Sequence, residues 1–189
     1  MYAIARGVPP LLVALVGAAW MQEALSATAT LGVVLIGSGV VAMGIVAKTS
    51  RPSLLFAGAA AVFIASYTLI DGTAVRRAGA SLPYVLWLTA VQGAVFAVGA
   101  ALVRGRRIAP ELRARWKTSL LAGVFSGGGY AVALWAMEQA PIALVAALRE
   151  TSVVFAALLA VAFLKESLGV RRIVAATVVA LGAAFVRFG

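Results

Sequence analysis

Two adjacent charges, Arg149 and Glu150, lie inside an apolar run that extends from Ile142 to Leu164. The run is long enough to cross a bilayer, which requires about 20 mostly apolar residues. At about 1.5 Å per helical residue, the pair lies about 11 Å along a helix that must span about 30 Å. A charge at this depth is costly and usually faces the protein interior or a water-filled cavity, so it indicates a functional site.

The chemistry of this pair suits the recognition of a small charged solute. Arg149 and Ser152 are three positions apart and share one face of a helix. The Arg149 guanidinium can hold a substrate carboxylate through two parallel hydrogen bonds. Glu150 can couple transport to protons or pair with a nearby cation. The alternative is that both side chains satisfy helix-end carbonyls and fix the packing, and the sequence leaves both interpretations open.

Three further polar residues lie in other apolar runs. Ser126 and Tyr130 fall on one stripe beside Gly127–Gly129, which is typical either of a cavity wall or of close packing by a neighbouring helix. Tyr67 stands four residues before Asp71, on the same helix face. We expect Asp71–Gly72 to close that helix and Asp71 to be solvated at the interface. The alternative is that Asp71 lines the pathway.

The composition indicates a polytopic helical membrane protein. Hydrophobic residues make up 63% of the chain and charged residues 12%, with a mean hydropathy of +1.06, whereas soluble domains contain about 45–50% apolar residues. The sequence has no Cys and no His, which excludes disulfides and His-based acid–base chemistry. It also shows no nucleophile–base pair and no metal cluster, so we expect no enzyme activity, no cofactor and no metal.

The apolar runs predict seven membrane spans, A to G, that form an all-α bundle. They are joined by short connections, apart from Arg104–Lys117, which we expect to be a small amphipathic or irregular piece at the interface. The predicted spans are A, Tyr2–Met21; B, Ala29–Ala47; C, Ser53–Ile70; D, Leu82–Val103; E, Thr118–Met137; F, Ile142–Leu164; and G, Val170–Val186.

Span A is unusual because Arg6 is followed closely by Pro9–Pro10. Two consecutive prolines remove two backbone donors and interrupt regular helix geometry. Broken helices of this kind line the cavities of transporters, although a simple kink packed against neighbours explains the pattern equally well.

Small residues recur every four positions in several spans, which lets helices approach closely in lipid. The stripes predicted in this way are Ala61/Ala65, Gly93/Ala97/Ala101, Gly123/Gly127/Ala131 and Ala176/Ala180/Ala184.

The two ends of the chain resemble each other when they are shifted by 143 positions. Arg6 then falls on Arg149, Glu23 on Glu166 and Gly39 on Gly182. Spans A and F lie five spans apart, and an odd number of crossings makes the two matching units run through the membrane in opposite directions. Inverted repeats are typical of secondary transporters, which bind substrate near the bilayer midplane where the repeats meet.

Two segments resemble the EamA-type proteins of the drug/metabolite transporter superfamily. ALRETSVVFAALLAVAFLKESLGVRR is similar to the end of that family's second repeat, and RGVPPLLVALVGAAWMQEALSATATLG to the end of its first. The resemblance implies ten helices in two inverted five-helix repeats that export or import small metabolites, amino acids or drugs. Residues 1–47 would then be the last two helices of the first repeat and residues 48–189 a complete second repeat, with three helices missing ahead of Met1.

The expected function is therefore secondary transport, with export as the expected direction, by alternating access in a bacterial inner membrane. The expected partners are the lipid bilayer, a small-molecule solute and a second subunit that supplies the missing helices; no nucleic acid is expected. The alternative is a non-transporting fragment or subunit that only associates with other helices. The residues predicted to bind substrate are Arg149, Glu150, Ser152, Tyr130, Ser126, Tyr67 and Arg6.

The basic residues predict the membrane orientation. The net charge is +10, and most of the Lys and Arg residues lie in the loops B–C, D–E and F–G. The opposite side carries Arg76, Arg77 and, at the tail, Arg187. The positive-inside rule places the first set of loops in the cytoplasm and the carboxyl end outside.

Overall fold

The structure is a computed structural model that describes residues 2–44, 50–105, 108–164 and 169–189. The regular secondary structure of these residues is helical, which confirms the all-α fold. The predicted end of span B, at Ala47, lies outside the described residues. So do several charged residues of the predicted loops: Lys48, Arg106, Arg107, Lys165 and Glu166. The helices are α1, Tyr2–Gly7; α2, Pro9–Trp20; α3, Ala27–Gly44; α4, Arg51–Ala78; α5, Ser81–Arg104; α6, Ile108–Gln139; α7, Ile142–Glu150; α8, Ser152–Leu164; and α9, Val170–Phe188.

Span A is interrupted at Val8, between α1 and α2, as the prolines predict. Pro9 and Pro10 occupy the first positions of α2, where a backbone donor is not needed. Val8 keeps helical angles (φ −78°, ψ −39°) and its N–H donates to the Ile4 carbonyl at 3.2 Å. The helical path therefore continues through Val8 with two donors missing, which favours a simple kink over an unwound segment.

Helix α4 runs well beyond the predicted end of span C. It continues through Asp71–Gly72 to Ala78, so the prediction that these two residues close the helix is wrong. Gly72 instead leaves room for the Ile142 side chain, because a Cβ at position 72 would lie only 2.7 Å from Cδ1 of Ile142. The helix stops at Gly79, whose φ of +60° places it in the left-handed region that favours glycine.

The connection between spans D and E is largely helical. Helix α6 begins at Ile108 and is kinked at Arg115, where φ is −121° and ψ is 15°. Just after the kink, the Lys117 ammonium lies 5.8 Å from the centre of the Trp116 ring, within range of a cation–π contact. The described part of this connection is thus helical, and its location at the interface stays a prediction.

Span F is divided into α7 and α8 at Thr151, a break that the sequence did not predict. The Thr151 hydroxyl and its N–H both donate to the Leu148 carbonyl, at 2.6 and 3.1 Å. Such contacts over three residues tighten the backbone locally. The break follows directly after Arg149 and Glu150, so the charged pair lies at the end of a short helix.

The described chain forms two compact units. The first contains Met1–Gly72 and Ala140–Gly189, and the second contains Thr73–Gln139. In the second unit α5 contacts α6. In the first unit α3 packs against α1, α7 and α9, and the core of this packing is formed by Val33, Ile36, Val40, Ala147, Val179 and Val186.

Helices α3 and α9 approach each other until backbone and side chain touch. A Cβ on Gly182 would lie 2.8 Å from the Gly32 carbonyl oxygen, and a Cβ on Gly39 would lie 2.7 Å from Cγ2 of Val179. Glycine is required at both positions because any side chain would force the helices apart. The buried stripe of α9 is therefore Ala175, Val179, Gly182 and Val186, and not the predicted Ala176/Ala180/Ala184.

The other predicted stripes have mixed outcomes. Ala61 and Ala65 are buried, as expected for a packed face. A Cβ on Gly93, Gly123 or Gly127 would meet no heavy atom within 4 Å. Within the described part of the chain, the stripes of spans D and E therefore do not mark a close helix contact.

The exposed surface identifies the solvent as lipid. Phe63, Phe96 and Leu102 are exposed by 75%, 76% and 81%, which is unfavourable in water and ordinary in a bilayer. Four of the described segments are long and apolar enough to cross a membrane: Arg51–Ala78, Ser81–Arg104, Arg113–Gln139 and Ile142–Phe163. Two further apolar helical segments, Ile4–Trp20 and Ala27–Met43, are shorter than these.

Candidate functional site

Four side chains of the first unit form a charged cluster, defined here as Arg6, Tyr67, Arg149 and Glu150. They come from α1, α4 and the last turn of α7. Arg6 and Glu150 are 144 positions apart in the sequence. The packing of α2 against α7, and of α1 and α7 against α3, brings them together. All four are among the predicted substrate-binding residues.

Glu150 is the buried centre of the charged cluster, with only 3% of its side chain exposed. Its Oε2 lies 3.5 Å from Nη1 of Arg6, and its Oε1 lies 3.9 Å from Nε of Arg149. Each carboxylate oxygen thus faces a different guanidinium. A buried carboxylate requires such partners, because desolvation of an isolated charge is expensive.

Arg149 connects the buried carboxylate to a more open region. Its Nη2 donates to the Tyr67 hydroxyl at 3.4 Å, and 25% of its side chain is exposed. Tyr67 is itself 42% exposed. The guanidinium, the phenol and the partly exposed Arg6 therefore offer hydrogen-bond donors and positive charge to an approaching anionic group.

The two arginines of the charged cluster are the residues that the internal repeat pairs. Arg6 and Arg149 are 143 positions apart, and both point to one carboxylate. The helix breaks at Val8 and Thr151 show the same separation. The repeat could thus have predicted the break in span F, where no proline indicates it.

Three predicted site residues are not part of the charged cluster. Ser152 begins α8 on the far side of the break at Thr151, and within the described residues it forms no hydrogen bond to the cluster. Ser126 and Tyr130 lie on α6 in the second unit. Their role remains a prediction. The glycines Gly127–Gly129 beside them face open space within the described chain, since a Cβ on any of them would meet nothing within 4 Å.

Two acidic residues lie outside the charged cluster, and one of them differs from expectation. Asp71 is only 7% exposed, so the prediction of a solvated interfacial residue is wrong, because α4 continues past it. Glu23 follows the end of α2 and has a structural contact. Its carboxylate accepts a hydrogen bond from the Ile142 N–H at the start of α7, with N···O distances of 3.1 and 3.3 Å.

Metal chemistry has no support in the part of the chain that the structure describes, where no group of three or more His, Cys, Asp or Glu side chains converges.

Comparison with known proteins identifies the family. The sequence model of the EamA-like transporter family matches residues 51–188, which include predicted spans C to G. No curated protein and no solved structure matches the chain. Since the family match covers more than half of the sequence, this multi-pass membrane protein belongs to the EamA-like transporter family.

Proposed function

We propose that the protein is a secondary transporter that moves a small organic solute by alternating access, with the charged cluster as its substrate site. The observation that carries this proposal is the meeting of Arg6 and Arg149 at one buried carboxylate. The two arginines come from the two segments that resemble each other in sequence. A site formed where repeats meet is what alternating access requires.

The contacts between α3 and α9 support the assignment of residues 1–47 and 48–189 to two inverted repeats. A Cβ on Gly39 would meet the Ala175 oxygen and Val179, and a Cβ on Gly182 would meet the Gly32 oxygen and Ile36. Adding 143 to Gly39, Gly32 and Ile36 gives Gly182, Ala175 and Val179. The two sets of contacts are therefore equivalent, as a local two-fold axis between the repeats would produce.

The chemistry of the charged cluster favours a solute with a carboxylate, such as an amino acid or a small organic acid. The Arg149 guanidinium and the Tyr67 hydroxyl can both bind a carboxylate oxygen. Glu150 holds the two arginines in place and offers negative charge to a substrate amine or a coupled proton. The exposed apolar surface supports location in a lipid bilayer. The membrane proposed is the bacterial inner membrane, and the proposed direction is export.

Transport by the purified protein in proteoliposomes tests this proposal directly. A panel of amino acids, organic acids and cationic drugs is offered, and we expect uptake or counterflow of a carboxylate-bearing member. Arg149→Ala should abolish that transport while leaving membrane insertion intact. Arg77→Ala, which removes an exposed arginine at the end of α4, is the matched control and should transport normally.

Unchanged transport by Arg149→Ala would remove this residue from the site. If the protein moves no member of the panel, the alternative role, in which the chain only associates with other helices as a subunit, gains support. Co-purification with a second membrane subunit would then be the next measurement.

A further inference from the structure

A second long-range contact joins the same segments at the opposite end of α7. The Glu23 carboxylate lies 3.1 and 3.3 Å from the Ile142 nitrogen, although the two residues are 119 positions apart. Helix α7 has no acidic residue in its first turn, and Pro141 at its N-cap provides no side-chain hydrogen bond. The first N–H groups of a helix lack partners and carry partial positive charge. Glu23 therefore provides the cap that α7 lacks locally.

The backbone turn after α2 places the Glu23 carboxylate near the start of α7. Gln22 has a φ of +53°, which is uncommon for a residue other than glycine. The N–H groups of Met21 and Glu23 both donate to the Gly17 carbonyl at 3.1 Å, so the chain turns back over the last turn of α2. A Cβ on Gly17 would lie 3.3 Å from Oε2 of Glu23. The absence of a side chain at Gly17 thus leaves room for the carboxylate.

The start of α7 is also enclosed on its other sides. Ile142 and Ala143 are completely buried, and Ile142 occupies the space beside Gly72 in which a Cβ would lie 2.7 Å from Cδ1. Glu23 therefore adds a polar contact to a helix start that is buried by packing. Moving this end requires that the hydrogen bond to Glu23 break.

Helix α7 is a short helix whose last turn contributes to the charged cluster. Its nine residues extend from Ile142 to Glu150, and Arg149 and Glu150 occupy the last turn before the break at Thr151. Because α7 is only nine residues long, a displacement of its start at Ile142 would also displace Arg149 and Glu150 at its end.

We propose that Glu23 is a positioning residue that fixes α7, and through it Arg149 and Glu150, by capping the first turn of that helix. The importance of this role for transport rests on the proposed function. The contact itself is testable without any substrate, so its failure is distinguishable from failure of the transport proposal.

Hydrogen exchange of the protein in lipid nanodiscs tests the cap. In Glu23→Ala we expect amide exchange in the first turn of α7 to increase by about tenfold, as loss of a helix cap predicts. Glu23→Gln keeps an acceptor oxygen but loses the charge, so its increase should be smaller. Glu138→Ala is the matched control, since Glu138 is also a partly buried glutamate at a helix end, and α7 should exchange as in the wild type.

Gly17→Val provides a second variant that leaves Glu23 in place. The added side chain would displace the carboxylate, and we expect the same increase in exchange at the start of α7. If neither Glu23→Ala nor Gly17→Val changes this exchange, the proposed cap is refuted.

A distance measurement separates positioning from a purely local cap. The natural chain has no Cys, so spin labels can be attached at Leu148→Cys on α7 and Leu31→Cys on α3, both exposed positions. We expect a single narrow distance distribution in the otherwise unchanged protein and a displaced or broadened one when Glu23→Ala is added. An unchanged distribution would overturn the positioning role even if the first amides exchange faster.

Discussion

The burial of Glu150 depends on two arginines that come from distant parts of the chain. With only 3% of its side chain exposed, the carboxylate has lost nearly all of its hydration and requires the charge of Arg6 and Arg149. Arg6 is the more consequential partner, because its ion pair with Glu150 connects α1 to α7 within hydrogen-bonding distance. The same arrangement leaves Arg149 able to donate to the Tyr67 hydroxyl as well, at 3.4 Å.

The coupling between Arg6 and Glu150 predicts a non-additive pair of substitutions. Arg6→Gln should destabilise the protein by roughly 1–3 kcal/mol, because Glu150 stays buried after losing a partner. Arg6→Gln combined with Glu150→Gln should recover most of this loss, since both charges are then absent. Thermal unfolding of the four proteins in detergent gives the coupling energy. Additivity within about 0.5 kcal/mol would mean that the two side chains do not interact.

Tyr67→Phe is expected to weaken substrate binding and leave folding unaffected. The substitution removes only the hydroxyl that accepts from Arg149 at 3.4 Å, on a residue that is 42% exposed. Loss of one such hydrogen bond should lower apparent affinity by about three- to tenfold. The concentration dependence of transport measures this effect, and Tyr84→Phe in the second unit is the control. Equal affinity of the Tyr67 variant and the wild type would exclude the phenol from the site.

At the level of helices, the apolar runs are sufficient to predict where the protein is helical but not where the helices break. Proline marks the kink at Val8, whereas α7 and α8 are separated at Thr151, whose hydroxyl donates to the Leu148 carbonyl. The end of α4 also escapes prediction, because Asp71–Gly72 resembles a helix end and its role depends on Ile142, a residue distant in sequence. Contacts of this range are invisible to local patterns.

The internal repeat recovers part of what local patterns cannot. The sequence alone pairs Arg6 with Arg149, and the fold brings these two residues to one carboxylate. The repeat does not predict the cap that Glu23 makes on α7, because a match between Glu23 and Glu166 names no partner for either. The composition of a single helix also gives no indication of a donor 119 positions away.

The α3–α9 crossing predicts opposite effects of two similar substitutions. In Gly182→Ala the new Cβ would lie 2.8 Å from a backbone oxygen of Gly32, which cannot move without separating the helices, so stability should fall. In Gly123→Ala the new Cβ meets nothing within 4 Å, and alanine favours the helix by roughly 0.5–1 kcal/mol over glycine. Thermal unfolding in detergent should rank Gly123→Ala at or above the wild type and Gly182→Ala below it. A neutral Gly182→Ala would argue against the close crossing.

For the molecule as a whole, membrane topology decides whether the two similar segments are inverted. Ser26 follows span A and its counterpart Gly169 follows span F, and both are exposed. If predicted spans B to F all cross the membrane, this odd number of crossings would place the two positions on opposite faces. The positive-inside rule then predicts Gly169 on the cytoplasmic side and Ser26 outside.

Labelling of single cysteines tests this topology, because the natural sequence contains no Cys that would react. We expect Ser26→Cys to react with a membrane-impermeant maleimide in intact cells. Gly169→Cys and Ser50→Cys should react only after the membrane is permeabilised. Labelling of Ser26→Cys and Gly169→Cys from the same side would require an even number of crossings between them, and the inverted repeat would then be wrong. If the two still label from opposite sides but with inside and outside exchanged, the repeat stands and only the orientation inferred from the basic loops must be reversed.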